Sequence, residues 1–453
     1  MRRLAAGAAN DAAGPDIDAG QQGIVYVMEK ATKNGGLVLA EGQFTIRYRG
    51  RSGSYLCRVT LDLTREYPVL IDSLESVHAL GPAVSMTDSV VLEVNPDSKP
   101  VECYIIGPRS NSSGAGQTTS LTLLPRGDAP IERGAPLVRL NSDIVNLHQY
   151  RFGPPYNSRF TLEDDSWVYE FTPVSESTFL YPPRIQNESY SFSHHLTLRK
   201  RDGLEFSPAE AQKALQPLGT FLSFCAEYWV VPALVAGLDS SGQVAMENWG
   251  TPRLAIGHTP RNWMDENHGR AMVDVFPGFS RLMQDTDWRD ALRTAVYWYV
   301  RSDTNNVGPD GSIILLQAAL ERLAWHLLVR RRHAISQRAF SKLPGSDQLR
   351  LLLDLSSIPL ELPSILTDLT ATASLQHWVD GPEAFVSLRN GIVHPRRTWE
   401  ALDGRVYYEA LQLGKWYLEL VLLKACGYHG LYANRLRIPR YAGQVEAVPW
   451  AHS

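Results

Sequence analysis

Apolar and polar residues alternate along the first third of the chain. Gln43-Phe44-Thr45-Ile46-Arg47-Tyr48 and Cys57-Arg58-Val59-Thr60-Leu61-Asp62-Leu63 change side at nearly every residue, the period of a strand with one buried face. Gly50-Arg51-Ser52-Gly53 between them reads as a hairpin turn. Val90–Val94, Val101–Ile106 and Ser120–Leu124 continue the pattern, and Asn111–Gln117 is a flexible loop. An antiparallel sheet or sandwich is expected over residues 23–153. From 154 to 283 the pattern is mixed. Trp167–Phe171 and Ser191–Leu198 read as strands, whereas Ser207-Pro208-Ala209-Glu210 is a capping box with Pro at the first helical position. That helix runs through Leu215, Leu218, Leu222 and Phe224, with Pro217 expected to kink it.

From Asp287 the period lengthens to three and four. Asp287 is the expected cap of a helix carrying Trp288, Leu292, Ala295, Tyr299 and Val300. Asn305–Gly311 reads as a turn, and Ser312 as the cap of a helix striped by Ile313, Leu316, Leu320, Leu323 and Leu327, the signature of bundle packing. Helices follow at Ser346–Leu355 and Thr367–Val379. Asp380-Gly381-Pro382-Glu383 starts the next one. The last long helix spans Arg405–Ala425, with Gly427 as its stop. The predicted class is α+β. Residues 1–22 read as a disordered tail, 23–283 as a β-rich N-terminal region divisible at 153/154, and 284–453 as an all-α bundle.

Composition narrows the function. The 453 residues are 44% hydrophobic and 20% charged, as in ordinary globular chains of two or three domains. A net charge of -4 means no chain-wide basic field, so any RNA site must be local. Cys57, Cys103, Cys225 and Cys426 are far apart and lack metal spacing, as expected of reduced thiols or small core residues. His194-His195 are adjacent on a strand and face opposite ways, so no metal site is expected there. Gly114-Ala115-Gly116 lacks the Lys of a phosphate loop. No secretory segment or membrane-spanning run is read in the sequence, and a cytoplasmic protein without cofactor is expected. Trp229 and Trp249 are expected in the core or an interface. Arg253…His258 and Arg261-Asn262…His268 read as loop residues, and 261–267 as a candidate sensing surface.

The stretch with chemistry is Leu388-Arg389-Asn390-Gly391-Ile392-Val393-His394-Pro395. Phe385, Leu388 and Ile392 form the apolar stripe of its helix; Ser387, Asn390 and His394 lie opposite. Pro395 should end the helix at His394. Asn390 and His394 are neighbours at i,i+4. Arg389 and His394 are roughly 140° apart, at ~100° per residue. They can share a substrate if Arg389 reaches around, if the helix loosens at Gly391, or if a second subunit contributes. An imidazole can move a proton near neutrality, and a guanidinium can hold a phosphate and its transition state. Together they suit metal-free attack of a ribose 2′-hydroxyl on its neighbouring phosphate. The plainer alternative is a helix end with an Arg in a surface ion pair and a His as C-cap.

Arg389-Asn390-x3-His394 followed by Pro, on the second-last long helix, resembles the HEPN superfamily, in particular its ApeA-like branch. The likeness extends to Leu316–Leu323 and to Gly427-Tyr428-His429-Gly430-Leu431-Tyr432-Ala433-Asn434-Arg435. The resemblance implies a HEPN-type bundle, with Arg389 and His394 as ribonuclease residues and Asn390 as a supporting group. It also implies a cleft between two protomers, RNA as substrate, and a role in anti-phage defence or a toxin system. A phage protein or an antitoxin would then be the regulator. Arg396 and Arg397 could hold flanking phosphates, or be loop charges. Glu321 either pairs with Arg322 or another nearby arginine, or orients Arg389 across the bundle. Arg330–His333 reads as a solvated helix end, and Arg435, Arg437 and Arg440 as a basic tail. The alternative function is a non-catalytic module that dimerises or binds a nucleotide or partner.

Overall fold

The computed structural model describes residues 37–451 apart from 63–68, 78–79, 81–87, 95–97, 114–115, 128–129, 154–157, 175–191, 251–252, 256, 258, 303–306 and 395–402. They form two compact units. One takes the chain up to Val94 together with Glu102–Leu124; the other takes Asn95–Val101 and everything from Pro125.

The first unit is β1 (Leu37–Tyr48), β2 (Arg51–Leu61), β3 (Val69–Ser73), β4 (Ser89–Glu93), β5 (Val101–Ser113) and β6 (Gly116–Pro125), closed into a barrel in the order β1-β2-β3-β6-β5-β4. The antiparallel pairing anticipated from alternation is present, but as a barrel rather than a sandwich. Closure leaves no sheet edge for another chain to pair with. Phe44, Ile46, Cys57, Val59, Ile71, Val90, Leu92, Ile105 and Leu123 fill it. The β1–β2 turn is Arg49-Gly50, with Tyr48 paired to Arg51 and positive φ at both turn residues (47° and 79°). It is a two-residue turn of the type whose twist matches a hairpin, two residues earlier than the Gly50–Gly53 reading, whose Arg51, Ser52 and Gly53 belong to β2.

In the second unit β7 (Pro130–Glu132), β8 (Arg139–Val145), β9 (Phe160–Glu163), β10 (Trp167–Pro173), β11 (Phe192–Lys200), β12 (Pro232–Leu238) and β13 (Val244–Asn248) build an antiparallel sheet, order β7-β13-β12-β8-β11-β10-β9. Between β11 and β12 runs α1 (Pro208–Ala226). Its capping box is reciprocal: Glu210 N–H donates to Ser207 Oγ, and Ser207 N–H to Glu210 Oε2. Pro217 lies inside the helix, as expected.

The helical part is α2 (Arg270–Gln284), α3 (Thr286–Arg301), α4 (Gly308–Trp325, continuing as a π-helical turn His326–Arg331), α5 (Gly345–Leu355), α6 (Thr367–Gln376), α7 (Gly381–Val393) and α8 (Gly404–Ala425). Two starts differ from the reading above. Asp285 rather than Asp287 caps α3, accepting the Asp287 N–H. Ser312 lies within α4, donating to Gly308 O, because Pro309 already starts that helix. Taken with its π turn, α4 is long and apolar enough to cross a membrane by composition, contrary to expectation, yet 56% of its apolar window is buried in this chain. One apolar cluster runs from the sheet (Leu140, Leu196, Phe171) through Phe221 and Phe276 to Leu316, Leu320 and Leu418. The sheet and the bundle therefore share a core.

Candidate functional site

The helix that carries Arg389 is placed from its first residue. Asp380 Oδ1 accepts the Glu383 N–H at 2.8 Å, and Asp380 Oδ2 accepts Arg350 Nε from α5 at 2.7 Å. Pro382 supplies a helical φ at no cost in hydrogen bonding. Ala384, Phe385, Val386 and Leu388 are buried, and α7 packs on α4, α5 and α8. The Phe385 ring lies against Gly414 of α8, where a Cβ would be 2.4 Å from Phe385 Cε2. Only a glycine lets the motif helix come this close.

At its other end α7 stops at His394, as Pro395 requires. His394 is the C-cap, with extended backbone (φ -116°, ψ 90°), and its N–H donates to Asn390 O at 2.9 Å. Its side chain is exposed; those of Arg389 and Asn390 are half-buried. Arg389 Nη1 donates to Asn390 Oδ1 at 3.3 Å, while Arg389 Nε is buried and has no partner among the described residues. Asn390 thus touches both, Arg389 through its side chain and His394 through its carbonyl. Among the described residues no side-chain hydrogen bond joins Arg389 to His394. Arg396 and Arg397 lie outside the described residues.

Other half-buried or buried arginines of the bundle have ionic or carbonyl partners. Arg322 holds Asp290 at 2.6 Å, Arg350 holds Asp380, Arg435 holds Glu227 and Glu419, and Arg440 donates to the Asn262 and Met264 carbonyls. Arg389, among the described residues, has a neutral amide. A cation in that position keeps its charge available to an incoming anion. Glu321 does not neutralise it. Gln317 Nε2 holds Glu321 Oε1 at 2.7 Å, and Arg322 has turned to Asp290. Among the described residues, neither Arg322, nor another nearby arginine, nor Arg389 pairs with Glu321. Its carboxylate instead lies beside Gly345 of α5, a glycine that Val386 also flanks.

Residues 285–447 match the family described as YopA C-terminal domain, and residues 132–259 the YopA central domain. The first match runs from the α3 cap to beyond the end of α8; the second covers most of the seven-stranded sheet. A SPbeta prophage-derived uncharacterized protein, YopA, of Bacillus subtilis (strain 168) is 29% identical over 269 residues, 59% of this chain. The match spans 60% of that relative's length. No solved structure matches.

Three other sequence candidates turn out to be structural. The tail cations are internal clamps, not a basic face: Arg435 is buried, Arg437 pairs with Glu446 at 2.7 Å, and Arg440 grips carbonyls. The supposed sensing loop is largely core, with Asn262, Trp263, Met264 and Asp265 buried under Arg440. Of the histidine pair, His194 is enclosed beside Phe160, and burial pushes it down to about 4. His195 Nδ1 meets Asp143 Oδ1 at 2.5 Å. Trp249 is buried as expected, while Trp229 is half-exposed.

Proposed function

We propose that this protein is a HEPN-type endoribonuclease that cleaves RNA without a metal ion, with His394 as general acid/base, Arg389 as the clamp on the phosphate, and Asn390 orienting Arg389. One observation carries the reading. Arg389 is a half-buried cation with a neutral partner, five residues before an exposed imidazole at a helix end. In the reaction the 2′-hydroxyl gives its proton to His394 and attacks phosphorus. Charge on the non-bridging oxygens is met by the guanidinium, and the P–O5′ bond breaks as the imidazolium returns its proton to the leaving 5′-oxygen, giving a 2′,3′-cyclic phosphate and a 5′-hydroxyl. On an ideal helix the two groups lie roughly 140° apart, and among the described residues no side-chain hydrogen bond joins them, so the reading pairs them across two copies of the chain. The prophage context of the Bacillus relative suits a role in phage conflict, with a phage protein or an antitoxin as regulator.

The test is cleavage by purified protein in EDTA, with the ends sequenced. Cyclic phosphate ends made by the wild type and lost in both His394→Ala and Arg389→Ala are expected. Undiminished cleavage by the double variant removes the assignment. Absence of cleavage alongside tight nucleotide or protein binding returns the chain to the class of non-catalytic binding modules.

A further inference from the structure

Beside the point where α1 ends, aromatic and cationic side chains interleave on the surface of the second unit. Trp229 follows the α1 C-cap, and Tyr297 lies one turn from the end of α3; their ring centroids are 5.8 Å apart at 46°. Arg253, from the loop after β13, lies over both, its Cζ 5.0 Å from the Trp229 ring and 5.6 Å from Tyr297. Arg301 Cζ lies 5.9 Å from the Tyr297 ring centroid. Arg293, Tyr297 and Arg301 follow at intervals of four, which puts them on one helix face. All three arginines are exposed and both rings are half-exposed.

Among the described residues the charge here is mostly positive. Asp290, the acid on that face, is shared between Arg293 at 3.5 Å and Arg322 at 2.6 Å. Arg253 has no carboxylate partner among the described residues. On a chain of net charge -4, this grouping of guanidinium side chains is a local feature. Flat guanidinium and indole surfaces take an unpaired base by stacking, and the same cations take its phosphates. In a duplex those base faces are already occupied. An acidic peptide would use guanidinium edges and gain little from the rings.

We propose that Trp229, Arg253, Tyr297 and Arg301, with Arg293, form a docking strip for single-stranded nucleic acid, RNA in the first instance. The strip stands on its own geometry; the choice of RNA over DNA rests on the nuclease reading. The experiment measures fluorescence anisotropy of a labelled 12-nucleotide RNA on full-length His394→Ala protein in EDTA. Single-stranded DNA, an RNA hairpin and polyglutamate serve as further arms. Arg253→Ala/Arg301→Ala should weaken single-strand binding by about tenfold or more and flatten its salt dependence. Tyr297→Phe should keep most of the affinity, and Arg253→Lys, which keeps charge but not the flat surface, should lose about threefold. Unchanged far-ultraviolet circular dichroism qualifies each variant. Preference for RNA confirms the full statement, and equal binding of DNA confirms the single-strand strip while removing the preference. Equal affinity of wild type and the double variant, equal binding of the hairpin, or full competition by polyglutamate overturns it. Cleavage is measured separately with His394 intact, so that loss of the strip and loss of the nuclease reading are told apart.

Discussion

Replacing Arg435 with methionine keeps most of its volume and removes its charge from a buried ionic site in the second unit. Arg435 Nη2 lies 2.7 Å from both Glu227 Oε1 and Glu419 Oε1, and Nη1 lies 3.0 Å from Gln412 Oε1. Lys415 Nζ lies 2.8 Å from Glu227, and Tyr299 donates to Glu419 at 2.5 Å. All four charged groups are at most 6% exposed. Two carboxylates and two cations balance, so loss of one cation leaves an unmatched buried anion. Breaking a buried pair from one side costs about 3–5 kcal/mol, far above the ~0–1 kcal/mol of a surface pair. Burial already raises the Glu419 carboxyl, and Arg435 is the main opposing influence. Without Arg435 the carboxyl rises further and binds a proton as pH falls, so the deficit should shrink towards acid. Urea unfolding followed by near-ultraviolet circular dichroism measures it, with Arg435→Met/Glu419→Gln as partner. Restoring charge balance should recover about 1–2 kcal/mol. A single-variant cost below about 1 kcal/mol, or strict additivity in the pair, would show that the network does not hold the tail as argued.

Three further outcomes are expected. The unfolded His194 ring protonates near 6.5 and the buried one near 4. Its contribution is therefore fully present above about pH 6.5 and is lost as pH falls to about 4, about 3 kcal/mol in all; His194→Phe should flatten that acid limb of the stability curve. Gly414→Ala puts a methyl group 2.4 Å from Phe385 Cε2 and should destabilise by about 1–3 kcal/mol. Phe385→Leu should restore part of it in a thermal melt. All four cysteines are buried, with Cys57 and Cys103 pushed up to about 12, so a thiol reagent near neutral pH should label the native chain only as it unfolds. Rapid labelling of the folded protein would contradict their burial.

Local order was legible because neighbouring residues carry it. Alternation marked β1 and β2, the Ser207 box marked α1, Asp380 and Pro395 bracketed α7, and Gly427, with φ 71°, ended α8. Several elements were missed: strands β3, β7, β8, β9, β12 and β13, too short or too evenly apolar to alternate, and helix α2. Met272, Val275, Phe276, Phe279 and Met283 follow helical spacing in α2, but Pro277-Gly278 in mid-helix reads as a break. Gly278 is there because a Cβ would lie 1.9 Å from the Cys426 carbonyl oxygen, a contact between segments distant in sequence. The same holds for closure of the barrel, which depends on β1 pairing with β4.

Charge was the least legible property. A guanidinium looks the same in sequence whether it ends in water, in a carboxylate or on an indole. The sequence by itself determined the periods, the caps, the stops and which residues could do chemistry. Tertiary structure alone decided that Arg435 is sealed between two carboxylates, that Arg389 has a neutral neighbour, and that Arg253 lies on Trp229. The reason is physical: periodicity arises within a few residues, whereas the fate of a charge depends on which distant groups come within a few ångströms of it.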